Sequence, residues 1–400
     1  MMLIGVVGKA NVGKSTFFKS LTLADIEIAN YPFATINPNK GVGFVKIDCV
    51  CKEFDKQCNP REGYCTGKYR FIAVDVIDVA GLVPGAHEGK GMGNQFLDDL
   101  RQANCLIHVI DCSGSTNERG ESVTPGSYNP EKDILFLEVE LDMWYLGILK
   151  KGWEKLARQI QQESLDTHKV LAKQLSGLGV SEDMIKESLR KLNYNIEKPI
   201  SWTEDELAKL ASHLRKLTKP MVIAANKVDT ETGKKNYEEL KKKFNDRLII
   251  PCSAESELVL RQASKANLIN YVPGENNFKI IAPEKLNEKQ LKALDFIQKN
   301  VLDVYGSTGV INTLNSAVFD LLEYMAIFPG GVGKMEDQHG NVLPDCFLMP
   351  KNTTALDFAF KLHTDLGKGF IKAIDVKTKM VVGKDHKLKH RDVIEIASKS

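Results

Sequence analysis

The sequence predicts an α/β fold: a phosphate-binding-loop domain, split by a helical insertion and followed by a small α+β domain. Three observations carry this. First, Met2-Leu3-Ile4-Gly5-Val6-Val7 is an apolar run long enough for a buried strand and too short for a helix. It leads into Gly8-Lys9-Ala10-Asn11-Val12-Gly13-Lys14-Ser15, which matches G-x-x-x-x-G-K-[ST], and helical spacing follows from Thr16. Second, similar apolar runs recur at 71–78, 105–111, 220–225 and 247–252, and three of them end in residues that carry chemistry. Third, residues 129–217 switch to helical periodicity, and after Phe328-Pro329-Gly330-Gly331 the composition changes again.

The first loop suits phosphate. Gly8 and Gly13 let successive N–H groups point inward at phosphate oxygens, and the helix beginning near Gly13 adds its positive end. Lys14 can reach the β- and γ-phosphates, the Ser15 hydroxyl suits Mg²⁺, and Val12 and Thr16 complete the cradle. A chance match in a strand–turn–helix unit is the competing explanation. It weakens as further motifs follow in order.

Residues 26–37 read as a loop, with Pro32 barring a regular helix. Thr35, twenty residues beyond Ser15, is either a turn residue or the switch threonine that senses the γ-phosphate and metal. Residues 42–50 are strand-like. The stretch 49–69 carries Cys49, Cys51, Cys58 and Cys65 in a C-x-C-x6-C-x6-C pattern unlike the paired C-x2-C of zinc modules. A zinc site, one or two disulfides, and unlinked thiols all remain open.

The run 71–78 ends in Asp78-Val79-Ala80-Gly81. In this order D-x-x-G places Asp78 to hold Mg²⁺ through water and the Gly81 N–H on the γ-phosphate. Five glycines between Gly81 and Gly93 suggest a segment built to move. His108, inside the next apolar run, reads as a core histidine. From 134 to 160 apolar residues recur at helical intervals; further helices are expected at 165–178, 182–192 and 203–217. Ser181 and a Ser201/Glu204 capping box would start the last two, and the whole could be an antiparallel helical pair. Such an arm serves either as a solvated shape element or as a partner-binding surface.

The run 220–225 ends in Asn226-Lys227-Val228-Asp229, and 247–252 ends in Ser253-Ala254. Both would lie on the ligand edge of a parallel sheet. The Asp229 carboxylate can accept from N1–H and N2–H₂ of guanine, donors that adenine lacks there. Asn226 can hold the base and the phosphate loop, Lys227 can pack its stem over the ring, and the Ala254 N–H can meet O6. Residues 258–325 look mostly helical. Beyond them, strands are expected at 345–349, 370–374, 380–382 and 393–396, with a helix at 354–363.

Composition excludes other classes. Net charge is +2, so no global field points to nucleic acid or membrane. No apolar run approaches a membrane span, and the chain enters a core strand at once, so a cytoplasmic protein without a signal peptide is expected. Residues 345–400 hold eleven Lys/Arg against seven Asp/Glu, an excess of four that is either a modest RNA-facing patch or a solvated face.

The motif order resembles a translation-factor-class P-loop GTPase. Asn30-Tyr-Pro-Phe-Ala-Thr-Ile36, Asp78-Val-Ala-Gly-Leu-Val-Pro-Gly-Ala86 and Gly89-Lys-Gly-Met-Gly-Asn-Gln-Phe-Leu97 resemble the Obg superfamily, specifically its YchF subfamily. Leu348-Met-Pro-Lys-Asn-Thr-Thr-Ala-Leu-Asp-Phe-Ala359 and His363-Thr-Asp-Leu-Gly-Lys-Gly-Phe370 resemble a TGS domain. The resemblance implies an α/β P-loop NTPase G domain at 1–126 and 217–320, a coiled-coil-like insertion at 127–216, and a β-grasp TGS domain at 321–400. It further implies GTP as substrate, Mg²⁺, and association with ribosome or RNA through the TGS domain and the helical arm, with a monomer expected. Typical YchF proteins lack the Lys–Asp pair of the base motif and prefer ATP; this chain keeps it, so a guanine binder is expected, with a relaxed ATPase as the alternative. A nucleotide-gated binding module with incidental hydrolysis is the rival from another class. Leu82 stands where Ras-like enzymes place a water-orienting glutamine, so slow turnover is expected. The missing assistance would come from His87, from a partner, or from K⁺ held by Asn11, whose position resembles the asparagine of cation-dependent GTPases.

Overall fold

In the computed structural model the described residues are 2–22, 40–79 and 99–399. Thr35, Gly81, Leu82 and His87, and with them both expected switch loops, lie outside these residues. The chain clusters into two compact units, 1–20, 38–40 and 75–313 on one side, and 21–37, 41–74 and 314–400 on the other.

In the first unit the apolar runs form a parallel sheet. β1 (Leu3–Val7) sits between the end of β4 (Tyr69–Asp78) and β5 (Cys105–Asp111), and β6 (Met221–Asn226) and β7 (Ile249–Pro251) follow outward. The registers are Val6↔Asp78, Val7↔His108 and Asp111↔Asn226, all parallel. Strand order reverses direction at β1, and a crevice opens beyond the carboxyl ends at such a point. Every residue of β5 is buried, as expected for a strand covered on both faces. His108 is 2 % exposed, and burial, helped by the nearby Lys9 ammonium, pushes its pKa down to about 3, so it stays neutral.

The helical segment holds five helices rather than an antiparallel pair: α2 (Glu131–Lys150), α3 (Trp153–Gln162), α4 (Thr167–Gln174), α5 (Glu182–Leu192) and α6 (Glu204–Thr218), after α1 (Lys14–Thr22). On α2, Ile134, Leu137, Leu141, Trp144, Tyr145 and Leu149 face inward and α6 packs along it, whereas Leu135 and Val139 point to solvent. The Ser181 cap on α5 is present. The capping box of α6 belongs to Thr203 and Glu206, not Ser201 and Glu204: Pro199 starts a 3₁₀ turn that takes up Ser201, and the cap falls two residues later than expected. Among the described residues no helix is long and apolar enough to cross a membrane.

Residues 258–325 are less helical than expected. After α7 (Ala254–Lys265), a hairpin of β8 (Ile269–Tyr271) and β9 (Phe278–Ile280) precedes the next helix, its three-residue strands being too short to show alternation.

The second unit contains a five-stranded sheet in the order β11 (Phe347–Pro350), β10 (Tyr324–Pro329), β14 (Val393–Ser398), β12 (Phe370–Asp375) and β13 (Met380–Val382). A helix at Ala355–Leu362, capped by Thr354, packs on it through Phe358, against Met325, Met349 and Ile394. This mixed sheet with one crossing helix is the β-grasp arrangement. β10 is the strand that sequence patterning missed, because Tyr-Met-Ala-Ile-Phe shows no alternation and follows a helical run.

The same unit holds β2 (Lys40–Asp48), the cysteine segment and the first half of β4. β2 ends two residues before the expected Val50, which opens a 3₁₀ turn (Val50–Phe54). Arg70 on β4 is 1 % exposed, and its guanidinium donates to Leu343 O (3.1 Å) and Pro344 O (2.9 Å). Arg70→Met leaves the buried Leu343 carbonyl unpartnered, while Pro344 O keeps its bond from Arg61 N (3.0 Å); one orphaned buried carbonyl costs roughly 1–3 kcal/mol. The expected loss is about 1–3 kcal/mol of stability, read as a lower midpoint in urea unfolding. An unchanged midpoint would show that water satisfies the freed carbonyl.

Candidate functional site

The carboxyl edge of the parallel sheet gathers the phosphate loop, Asp78, Asp111, Asn226-Lys227-Val228-Asp229 and Ser253-Ala254. α1 begins at Lys14, with Phe17 N donating to Gly13 O at 2.8 Å, so the first turn aims free N–H groups at the loop. Gly8 is required by space: a Cβ there would sit 2.6 Å from Val109 O. Gly13 has φ +91°, in the left-handed region, and a Cβ would meet Asn226 Nδ2 at 2.3 Å.

Lys14 Nζ is hydrogen-bonded to Asp78 Oδ1, so two residues assigned to phosphate and metal lie together. Ser15 is exposed at the start of α1 and Thr16 half-buried behind it. A serine hydroxyl and a carboxylate are hard oxygen donors, which suit Mg²⁺.

Asn226 joins the two halves of the edge. Its Nδ2 donates to Val12 O at 2.9 Å and its Oδ1 accepts from Ala254 N at 3.0 Å. The first bond fits the expectation for Asn226. The Ala254 N–H, expected at the base oxygen O6, donates here to Asn226 Oδ1. Lys227, at φ +65°, extends its ammonium to Asp111 Oδ2 (2.9 Å), Asn11 O (3.3 Å) and Ser115 Oγ (3.3 Å). Thr230 pins the turn by donating to Lys227 O (2.9 Å) and accepting from Gly233 N (3.0 Å). Asp229 is half-buried beside it. Ser253 is buried, its Oγ bonded to Ser256 Oγ at 2.7 Å.

Sequence patterning missed the loop after β5. Asp111 accepts from Ser113 N, and from the hydroxyls of Ser113, Ser115 and Thr116, besides Lys227. Burial works to raise its pKa, but the Ser113 bond and the Lys227 ammonium outweigh it and hold the carboxyl below its usual range. Lys9, in the phosphate loop, is buried on Asp133 (2.8 Å) and Thr116 O (3.0 Å), its ammonium 3.9 Å above the Tyr128 ring. Asn11, at φ +61°, donates from Nδ2 to Gly120 O at 2.9 Å. The available signal was D-C-S-G-S-T at the end of β5, a carboxylate followed by four short side chains, three of them hydroxyls.

The cysteines converge elsewhere, in the second unit. The Sγ atoms of Cys49, Cys51, Cys58 and Cys65 all lie within 4.8 Å of one another, and all are free thiols.

Fold and edge together define a P-loop nucleotide protein of the GTPase type. Residues 3–138 match the family model described as 50S ribosome-binding GTPase, 224–331 the Obg-like GTPase YGR210-like, G4 motif-containing domain, and 338–398 the TGS domain. An uncharacterised GTP-binding protein of Methanocaldococcus jannaschii is 52% identical over 100% of this chain and 99% of its own. One from Schizosaccharomyces pombe is 35% identical over 88% of each. The crystal structure of a GTP binding protein from Pyrococcus horikoshii OT3 is 40% identical, covers 100% of both chains and superposes with a TM-score of 0.77. The S. pombe YchF GTPase structure, at 21% identity over 99% and 97% of the chains and TM-score 0.60, is alike in fold. The chain belongs to the YchF-type Obg-like GTPases, with a G domain and a C-terminal TGS domain.

Proposed function

We propose that this protein binds GTP with Mg²⁺ and hydrolyses it slowly to GDP and phosphate, acting as a nucleotide-dependent factor on the ribosome. The observation that carries this reading is the Asn226 side chain, bonded at once to the phosphate loop and to Ala254. It joins the base edge to the phosphate edge, the arrangement one guanine nucleotide needs. Lys14 would leave Asp78 for the β- and γ-phosphates, and Asp78 and Ser15 would then hold the metal, which supplies charge neutralisation at the phosphates. Asp229 selects the base. Thr35, Gly81 and His87 complete the γ-phosphate side on sequence grounds. The three parts keep the assigned division, with the helical arm and TGS domain facing the partner; the Bacillus subtilis relative at 28% identity, named ribosome-binding ATPase YchF, supports that direction.

The relatives named ATPase make adenine the alternative, and the retained Asn-Lys-x-Asp favours guanine. Competition of labelled GTP against ATP tests it: GTP should win by at least about a hundredfold, the worth of the charge-assisted bonds to Asp229. Equal affinities would defeat the guanine reading. Turnover without a partner should lie on the order of 10⁻⁴ to 10⁻² s⁻¹, since no glutamine follows D-x-x-G. Ribosomes should raise it; no stimulation would favour a binding module with incidental hydrolysis. With Asn11 tied to Gly120, any K⁺ would be held through its free Oδ1, and replacing K⁺ by Na⁺ should then slow hydrolysis. Identical rates in the two salts would remove the cation.

A further inference from the structure

We infer that Cys49, Cys51, Cys58 and Cys65 form a closed, structural zinc site that holds the segment between β2 and β4 in shape. Four thiolates at about 2.3 Å from a tetrahedral Zn²⁺ stand about 3.8 Å from one another. Here Cys49 and Cys58 Sγ are 3.5 Å apart, Cys51 and Cys65 Sγ 3.9 Å, and all four lie within 4.8 Å. A disulfide needs about 2.05 Å, and an ordinary apolar core does not bring four sulfurs this close together.

The chain is shaped to bring them there. The 3₁₀ turn Val50–Phe54 places Cys49 and Cys51 on one side, and Asp55, at φ +52°, reverses the direction so that Cys58 returns beneath them. β3 (Tyr64–Cys65) then pairs with β4 through Cys65↔Arg70 and delivers the fourth sulfur. Cys49, Cys51 and Cys58 are at most 3 % exposed, so no position is left open for substrate.

Two contacts are those of ligands rather than of idle thiols. Gly67 N donates to Cys65 Sγ at 3.2 Å, and Arg70 Nη1 to Cys58 Sγ at 3.4 Å. Both stabilise anionic sulfur, as the outer hydrogen bonds of a metal site do. Arg70 is the independent sign. Its buried guanidinium has no carboxylate partner among the described residues, and its Nε has no partner at all. A buried lone cation is costly; a zinc tetrathiolate, with net charge −2, supplies the missing counter-charge. Zinc rather than magnesium follows from four soft donors in a tetrahedral array.

The segment has reason to need a metal. Between Cys51 and Tyr69 it is mostly charged and polar, with little apolar surface of its own to bury. Beyond the sulfurs it is tied within the unit by two backbone bonds, Asn59 N to Val342 O and Arg61 N to Pro344 O, and by ion pairs of Lys56 with Glu336, Arg61 with Asp337 and Asp345, and Glu53 with Lys377 and Arg391, which are partly exposed and contribute little each.

The full-length protein, purified without chelator, tests this by metal analysis, and should carry about one zinc per chain. Cys49→Ser and Cys65→Ser should each lose it, whereas Cys346→Ser, outside the cluster, should keep it. Should the serine variants not fold, titrating the wild-type thiols with an organomercurial decides: zinc should appear in step with the modification of four cysteines. Cobalt exchanged into the site should give the intense visible bands of a tetrahedral thiolate complex. Metal-free folded protein, two disulfides by mass spectrometry, iron in place of zinc, or zinc release unrelated to these thiols would each overturn the site. None of these results depends on which nucleotide the G domain binds.

Discussion

Asp229→Asn is expected to abolish the preference for GTP and to create one for xanthosine triphosphate. Guanine offers N1–H and N2–H₂, and a carboxylate accepts both; an amide presents one donor where an acceptor was needed. Each charge-assisted bond is worth roughly 1.5–3 kcal/mol, so GTP affinity should fall about a hundredfold or more. Xanthine carries a carbonyl at C2, which the new amide can meet. The turn itself should survive, because Thr230 holds it through Lys227 O and Gly233 N, without help from the Asp229 side chain. Equilibrium titration with labelled GTP and xanthosine triphosphate reads the outcome. Unchanged GTP affinity would mean that base recognition lies elsewhere, and an equal loss of both nucleotides would mean that the turn collapsed.

The motifs on strand ends were legible because backbone and side chain ask for the same residue. Gly8 and Gly13 are required by close approach and Asn226 by a bond to Val12 O, and each leaves a fixed letter at a fixed spacing. The loop after β5 was not legible. Its work is done by carbonyls and short hydroxyls, Thr116 O, Gly120 O and Ser115 Oγ, which any turn could supply. The sulfur cluster failed for another reason. Its four sulfurs come from a 3₁₀ turn, a return loop and a two-residue strand, so their spacing obeys no helical or C-x2-C period, and only the fold brings them together. β10 stayed hidden because an apolar run without alternation fits a strand and a helix end equally.

Gly13→Ala should disable the site through Asn226 and not only through the phosphate. The added methyl would stand 2.3 Å from Asn226 Nδ2, and φ +91° disfavours any side chain there. Either the phosphate loop opens or Asn226 swings away, orphaning Val12 O and Ala254 N, at roughly 1–3 kcal/mol for each buried group. Nucleotide affinity should therefore drop by at least about a hundredfold, with a lower melting temperature. Asn226→Ala removes the same two bonds without a clash. If the two residues act as one unit, the double variant loses little beyond the worse single one, giving a coupling of about 1–3 kcal/mol in a double-mutant cycle. Isothermal titration of GDP against the four proteins measures it. Strictly additive losses would separate glycine from asparagine, and the Asn226 bridge would then no longer explain how base and phosphate are held at one edge.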